Sequence, residues 1–244
     1  MIPKMSFLKA DWRKLVLTNY EVDQSVLAPY LPYGTELDLW NGKCYVSLVG
    51  FMFLNTKLLN IRIPFHVNFE EVNLRFYVRR LEDKVWKRGV VFIKEIVPKP
   101  ALTFVANTVY KENYQTLPMR HEWRETASEQ LVSYSWKMNA KWQNISVQAS
   151  TQATEITPLS EAEFITEHYW GYAKASNTKT NEYEVTHPRW QVYEVLDYSI
   201  TVDFGQVYGP GFGFLSSQTP ASVMLAEGSE ITVENKKSIK KPST

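Results

Sequence analysis

The sequence predicts a mainly β fold with a few short helices, folded as a single domain. Segments rich in β-branched and aromatic residues recur along most of the 244-residue chain, whereas helical signals are few and short. Hydrophobic residues make up 44% of the chain and aromatic residues 14%, which is enough to build a sizeable core. The chain has no fixed-period repeat and no linker rich in Gly or Ser. We therefore expect one β domain over residues 1–234.

The predicted strands are separated by polar turn signals. Asn41-Gly42 leads into one strand, and the polar interruptions at 82–84 and 139–141 are typical of hairpin connections. In chain order, the predicted strands are 15–20, 43–54, 71–79, 88–95, 130–138, 145–152, 191–202, 206–214 and 229–234.

Three short helices are expected between these strands. Asp23 can cap the first, and the spacing of Ser160 and Glu163 is that of a capping box for a helix that runs to His168. After two prolines, the apolar residues of segment 102–110 recur at three- and four-residue spacing. Its Thr and Val content leaves a strand as the alternative, but the periodicity favours a helix.

Charge and cysteine content narrow the class of protein. The 27 Lys and Arg residues nearly balance the 26 Asp and Glu residues, so no global charge draws the chain to nucleic acid or to an anionic membrane. Cys44 is the only cysteine and is expected to be buried and inert. With no signal-peptide pattern and no long apolar run, we expect a cytoplasmic protein that engages neither nucleic acid nor membrane. The lysine-rich segment 235–244 is expected to be a basic, flexible and dispensable tail.

Several motifs, taken in order, resemble a known family. The motifs are Trp12-Arg13-Lys14-Leu15, Leu31-Pro32-Tyr33-Gly34, Gly42-Lys43-Cys44-Tyr45-Val46, Glu71-Val72-Asn73-Leu74-Arg75, Gly89-Val90-Val91-Phe92, Leu117-Pro118 and His187-Pro188-Arg189-Trp190. In this order they resemble the DUF2071 family of uncharacterised bacterial proteins, often called YqjF-like, from about residue 12 to about residue 234. That family more distantly resembles acetoacetate decarboxylase, which implies a β-sandwich or cone-like barrel that encloses a pocket.

The resemblance also implies where decarboxylase chemistry would lie. Acetoacetate decarboxylase uses a Schiff-base lysine beside a second lysine, in a Pro-Lys-Lys context, whereas this chain has Pro118-Met119-Arg120. Neither Met119 nor Arg120 can form an imine. Lys99 and Lys111 are near in sequence but lack a partner lysine that would lower the pKa of the reacting amine. We therefore expect the fold without imine chemistry.

The first candidate site is the polar face of the strand at 71–78. Alternation places Glu71, Asn73 and Arg75 on one face and apolar residues on the other. If that face lines a pocket, Arg75 could hold a carboxylate or phosphate, with Glu71 setting its orientation. The alternative is a Glu–Arg pair on a solvent-facing strand, which would contribute little energy.

Two further groups of candidates come from the resemblance and from composition. Glu112, Tyr114 and Arg120 follow the proposed helix, where Glu112 could act as a general base or orient Arg120; an ordinary polar loop is the alternative. His187 and Trp190 belong to an unusual His-Pro-Arg-Trp motif. The imidazole could reach a pocket with Trp190 as its wall, or the motif could be a rigid turn that buries Trp190.

No metal site or cofactor is expected. The histidines show no paired ligand spacing, and the Gly-rich segment 209–213 lacks the lysine and helix of a phosphate loop. The favoured function is binding of a small anionic organic molecule without Schiff-base chemistry, whether or not the protein is an enzyme; it could also form a homo-oligomer. The alternatives are a structural or interaction protein with a filled barrel and a non-catalytic carrier of an apolar ligand. The carrier's cavity would be lined by Trp40, Phe51, Phe53, Phe76, Phe92 and Trp190.

Overall fold

The computed structural model describes residues 6–242. As the sequence predicts, these residues are mainly β, and the structure joins their strands into a single sheet. Long strands joined by tight hairpins make up most of it. The strands are β1 (Leu8–Val22), β2 (Glu36–Leu37), β3 (Cys44–Leu58), β4 (Phe69–Glu82), β5 (Val85–Val97), β6 (Tyr114–Thr116), β7 (Met119–Glu125), β8 (Glu129–Met138), β9 (Lys141–Glu155), β10 (Trp170–Ser176), β11 (Lys179–Thr186), β12 (Gln191–Thr201), β13 (Ser222–Val233) and β14 (Lys237–Lys240).

The strand pairings return on themselves. Following hydrogen-bonded neighbours, the order is β11-β10-β5-β4-β3-β1-β13, and β13 also pairs with β11 through Val185 opposite Val233. These seven strands therefore close into a ring. The sheet continues from β13 through β12, β9 and β8 to β7, so the remaining long strands form a wing attached to the ring at one place.

The wing packs against the outside of the ring and creates a second core. One hydrophobic cluster, called the outer core here, fills the space between β3, β4 and β8, and its residues Leu74, Phe76 and Trp136 are fully buried. A separate cluster lies inside the ring and contains Phe51 and Trp190. Between Phe69 and Val78, both faces of β4 are therefore covered by protein.

Short helices fill the gaps between strands. The first, α1 (Gln24–Leu27), is capped by Asp23 as predicted, and α2 (Pro100–Val105) continues as a π turn over Ala106–Tyr110. The third, α3 (Glu161–Thr166), has the predicted cap, because the Ser160 hydroxyl accepts a hydrogen bond from the Glu163 amide. It ends two residues before the predicted end at His168.

The predicted strand at 206–214 is wrong. This segment is helical: α4 (Phe204–Tyr208) is followed by a 3₁₀ helix over Pro210–Ser217. Gly209, at φ 107°, separates the two turns, and Pro210 occupies the first position of the second, where its fixed φ suits a helix. Apolar side chains of this segment, among them Phe212, are instead buried in the outer core, together with Leu215.

The expectation of a flexible tail is corrected for the described part of 235–244. Residues Lys237–Lys240 form β14, which pairs antiparallel with β11. The side chain of Ile239 packs on the outer core, and the Ser238 hydroxyl donates to Oδ1 of Asn181 at 3.1 Å. One apolar residue and a ladder of backbone hydrogen bonds therefore suffice to dock this lysine-rich segment. Residues 243 and 244 lie outside the described residues.

Candidate functional site

The ring of strands encloses a cavity of about 220 Å³. Aromatic side chains form much of its wall, with Trp12 at ring-centroid distances of 5.1 Å from Phe51, 5.8 Å from Phe53 and 6.3 Å from Trp190. A strip of polar side chains crosses this apolar wall. Of the aromatic residues expected to line a carrier cavity, Trp40 and Phe76 lie elsewhere, and Phe76 belongs to the outer core.

The polar face of β4 lines this cavity. Glu71, Asn73 and Arg75 are all buried, while the apolar residues between them face the outer core. The amide of Asn73 donates to Oε1 of Glu71 at 2.9 Å. Of the two orientations that the sequence left open, the structure has the inward one.

A second set of polar side chains reaches the same strip from β5 and the segment after α2. Glu95 lies opposite Asn73 in the antiparallel pairing of β4 with β5. On its other side, Glu95 is paired with Tyr114 in the parallel pairing of β5 with β6. Asn107 holds Tyr114 by two hydrogen bonds, from its amide to the Tyr114 carbonyl at 2.9 Å and from the Tyr114 amide to its side-chain oxygen at 2.7 Å. The Tyr114 hydroxyl in turn donates to Oε2 of Glu71 at 3.2 Å.

Glu112, which is half-buried, completes a group of three carboxyls with the buried Glu71 and Glu95. It follows Lys111, whose left-handed backbone at φ 63° ends the π turn, and it accepts a 2.7 Å hydrogen bond from the Tyr183 hydroxyl of β11. Glu71 and Glu112, two predicted site residues that are remote in sequence, therefore line the same cavity. Glu95, which the sequence analysis did not select, lines it with them.

Burial dominates the electrostatics of the three carboxyls. Loss of hydration raises the pKa of Glu71 to about 7 and that of Glu112 to about 7. Burial, together with repulsion from Glu112 and Glu71, raises the pKa of Glu95 well above its ordinary value. Glu95 is therefore shifted toward its protonated form, in which it can donate a hydrogen bond, while Glu71 and Glu112 can each give or take a proton near neutral pH.

Arg75 brings a cation into this cavity without a carboxylate partner. Its Nη2 donates to the carbonyl of Ile165 at 3.4 Å, and its buried Nε has no hydrogen-bond partner. In the described part of the chain, Arg79 and Arg88 each form an ion pair with a carboxylate, but no carboxylate oxygen lies within 4.0 Å of the Arg75 guanidinium. The side chain is therefore free to hold an anion from the cavity.

His168 lies near Arg75 and was missed as a site residue. Its Nε2 is 3.1 Å from Oδ2 of Asp38, which also accepts a 2.6 Å hydrogen bond from Nε of Arg88. The carboxylate therefore fixes the proton on Nε2 and leaves Nδ1 as an acceptor, and this buried Nδ1 has no partner. Burial lowers the pKa of His168 to about 4, so the ring is neutral. Both His168 and Arg75 pack on Tyr77, at 4.8 Å and 5.7 Å from its ring.

The His-Pro-Arg-Trp motif contributes to the wall. His187 is stacked on Trp190 with ring centroids 4.3 Å apart, and its other neighbour is the ring of Tyr169 at 4.6 Å. Trp190 is buried and donates from its indole nitrogen to the Ser229 hydroxyl at 2.9 Å. The motif thus buries Trp190, and His187 and Trp190 both line the cavity.

The structure does not bring Arg120 to the cavity. This residue lies on the exposed strand β7, with its guanidinium 4.3 Å from the ring of Trp142, so Glu112 cannot orient it. No lysine is among the described residues that line the cavity. Residues 6–242 contain no group of three or more His, Cys, Asp and Glu side chains arranged to hold a metal ion.

Unpaired polar atoms gather at the cavity. Among the described residues, the buried side-chain atoms that lack a hydrogen-bond partner and belong to residues lining it are Nε1 of Trp12, Oγ1 of Thr56, Oδ1 of Asn73, Nε of Arg75, Oε2 of Glu95 and Nδ1 of His168. Each buried unpaired polar atom costs about 1–3 kcal/mol, so a cluster of them indicates a place where a ligand can supply partners.

The fold is that of acetoacetate decarboxylase-like proteins. Acetoacetate decarboxylase from Legionella pneumophila subsp. pneumophila strain Philadelphia 1 is similar at a TM-score of 0.65 and 10% identity, over 97% of this chain and 88% of that one. An acetoacetate decarboxylase-like enzyme from Sphingomonas wittichii RW1 gives 0.66 and 9% over 97% and 94%. The enduracididine biosynthesis enzyme MppR, in a complex with pyruvate, gives 0.64 and 12% over 97% and 91%. At these identities the likeness concerns the fold alone.

The chain belongs to the DUF2071 family of uncharacterized conserved proteins, whose sequence profile matches residues 9–230. The uncharacterized protein YqjF of Bacillus subtilis strain 168 is 33% identical over 72 residues. That match covers 29% of this chain and 30% of YqjF. Within residues 6–242, we find no helix with the length and apolar character needed to span a bilayer.

Proposed function

We propose that this protein binds a small anionic organic molecule in the cavity, with Arg75 as the anion-binding residue. The observation that carries the proposal is the buried guanidinium of Arg75, which lines the cavity without a carboxylate partner. A buried cation is expensive unless an opposite charge accompanies it. A ligand carboxylate or phosphate would supply that charge and could accept from the unpaired Nε.

The surrounding residues suit an organic acid. In its protonated form, which burial favours, Glu95 can donate a hydrogen bond. The neutral His168 can accept one at Nδ1, and Glu71 and Glu112 can move a proton near neutral pH. The related fold of MppR is described in a complex with pyruvate, a small carboxylate. These features support binding, and they would support acid–base chemistry on the bound molecule.

Imine chemistry is not part of the proposal. Lys99 and Lys111 are not among the cavity-lining residues, and the Met119-Arg120 pair offers no amine. The lysine whose pKa burial lowers is Lys94, but its Nζ donates to the carbonyl of Val207 in α4, on the other side of β5 from Glu95. A Schiff base needs a deprotonated amine in contact with the substrate carbonyl.

A second candidate, a carrier of a neutral apolar ligand, is favoured by the aromatic wall of Trp12, Phe51 and Phe53. The two functions differ in what they require of Arg75. A neutral ligand gains nothing from a buried guanidinium, whereas an anion depends on it.

The test compares two arginines of the same strand. Native mass spectrometry of the purified protein identifies any bound ligand, and isothermal titration calorimetry measures binding of pyruvate and phenylacetate. We expect at least one of these anions to bind, and Arg75→Met to weaken it by about 2–5 kcal/mol. Arg79→Met is the matched control, because Arg79 pairs with Glu36 outside the cavity. Equal affinity in the wild type and the Arg75→Met variant would overturn the proposal, provided that both melt cooperatively.

A further inference from the structure

We propose that the cavity selects monocarboxylates with an apolar, ring-sized body over both short acids and dicarboxylates. This inference rests on the proposed function, since it assigns the ligand's carboxylate to Arg75. It adds the chemical class of the rest of the ligand, which follows from the charges, the walls and the length of the cavity.

The charges of the lining allow one ligand carboxylate. Among the described lining residues, Arg75 is the single arginine and no lysine is present, whereas Glu71, Glu95 and Glu112 are all carboxyls. A second carboxylate on the ligand would lose its water without meeting a cation, and it would approach groups of its own sign. The lining therefore discriminates against a second charge as well as favouring the first.

The walls favour an apolar body. Arg75 is opposite Ser47 in the β3–β4 register, whereas Phe51 is opposite Glu71. Four residues of strand correspond to about 13 Å between the backbone positions. The Arg75 side chain and the ligand together span this distance, and an acid of two or three carbons spans less of it than an acid that carries a ring. Phe51 and Phe53 lie 5.3 Å apart and both contact Trp12. A ring beside these side chains would bury apolar surface and gain aromatic contacts.

The volume agrees with a ring plus a short acidic chain. Benzene occupies an apolar cavity of about 150 Å³ in an engineered protein, and the cavity here is about 220 Å³. The difference leaves room for a carboxylate and one or two carbons. Acetate or pyruvate alone would leave the aromatic wall without contacts.

Four probes that differ in one feature each test this selection. Calorimetry compares phenylacetate with acetate, which lacks the ring; with phenylacetamide, which lacks the charge; and with 1,4-phenylenediacetate, which carries a second carboxylate. We expect phenylacetate to bind at least about tenfold more tightly than each of the other three. Phe51→Leu should weaken phenylacetate but not acetate, whereas Phe214→Leu, on the half-exposed 3₁₀ helix away from the lining, should change neither.

The outcomes separate this inference from the proposed function. If acetate or 1,4-phenylenediacetate binds as tightly as phenylacetate and Arg75→Met abolishes that binding, the selection is wrong and the anion site stands. If phenylacetamide binds as tightly as phenylacetate, or no probe depends on Arg75, both the selection and the anion site are overturned.

Discussion

The hydroxyl of Tyr183 donates a 2.7 Å hydrogen bond to Oε1 of Glu112. This contact joins β11 to the segment after α2, two parts of the chain separated by 71 residues. It also places the carboxyl inside the ring of strands, where loss of hydration outweighs the hydrogen bond and raises the pKa of Glu112 to about 7. The carboxyl that joins these two parts of the chain therefore also titrates in the neutral pH range.

The contribution of Glu112 to the free energy of unfolding should fall as pH rises from about 4.5 to 7. In this window the unfolded state releases the Glu112 proton, because an ordinary glutamate ionises near pH 4.5, while the folded state keeps it. Glu112→Gln removes this contribution. We therefore expect the variant to gain on the order of 2 kcal/mol relative to the wild type between pH 5 and pH 8 in urea unfolding. Glu122→Gln, at an exposed position on β7, is the control; a parallel pH profile for wild type and Glu112→Gln would contradict the assignment.

At acidic pH, His168 should make the free energy of unfolding rise with pH, which is the opposite direction to the contribution of Glu112. Burial lowers the pKa of this imidazole from 6.5 to about 4, so the unfolded state takes up a proton first as pH falls. Stability that depends on His168 is therefore present above pH 6.5 and is lost as pH falls through 4. His168→Gln should flatten the loss of melting temperature between pH 6.5 and 4.5. The control is His66→Gln, at a half-buried position on the loop before β4, which should lose melting temperature as the wild type does. An unchanged acid limb in His168→Gln would show that the imidazole is not held neutral.

Treatment with acetoacetate and borohydride should leave no covalent adduct. No described cavity-lining residue is a lysine, so no amine meets the carbonyl of a bound keto acid. Intact-mass measurement before and after reduction checks this, with a sample reduced in the absence of acetoacetate as the control. Under the same conditions we expect no decarboxylation. An adduct that peptide mapping places on Lys99 or Lys111 would contradict the proposal.

Gly171→Ala should disturb the site through Tyr183. A methyl group at Gly171 of β10 would lie 2.1–2.5 Å from the Tyr183 ring and hydroxyl, so the tyrosine that binds Glu112 would have to move. We expect a loss of about 1–3 kcal/mol in unfolding free energy, typical of overpacking. Gly211→Ala is the matched control, because nothing lies within 4 Å of the added carbon. Equal melting temperatures for both variants would show that the Tyr183 side chain moves aside without a loss of stability.

A chain that ends at Asn235 should be less stable than the full chain. The deletion removes β14, its hydrogen bonds to β11 and the contacts of Ile239. We expect a fall of several degrees in melting temperature by calorimetry, since a change of about 1 kcal/mol shifts a domain of this size by roughly 2–4 °C. A chain that ends at Pro242 keeps β14 and serves as the control. Identical melting temperatures for the two truncated chains would mean that the pairing adds nothing.

The β4 pattern and the capped helices were accessible from the sequence because their signals are local. Alternation at 71–78 identified the polar face, and the Ser160 cap fixed the start of α3. Which side of β4 faces the cavity depends on where the wing packs, and no local signal encodes that. Glu95 offered one clue, as a carboxylate at the end of an otherwise apolar strand segment.

The remaining site residues were missed because their partners are far apart in the chain. His168 and Asp38 are separated by 130 residues, and neither position lies in a catalytic or ligand-binding sequence motif. The strand β7 was not predicted because its charged residues have low strand propensity. Conversely, the apolar content of segment 206–214 predicts a strand, although Pro210 is better suited to the start of a helix.

The two terminal strands of the sheet also bear on how copies of this protein meet. In the strand order of residues 6–242, β14 stands at one end and β7 at the other. Within this range each has one neighbour and one side with unpaired backbone groups. Such edges can template aggregation. Here they carry Lys237 and Lys240 on one strand and Arg120, Glu122 and Arg124 on the other. Charged gatekeepers on both margins disfavour strand addition from a neighbouring molecule, even in a sheet this long.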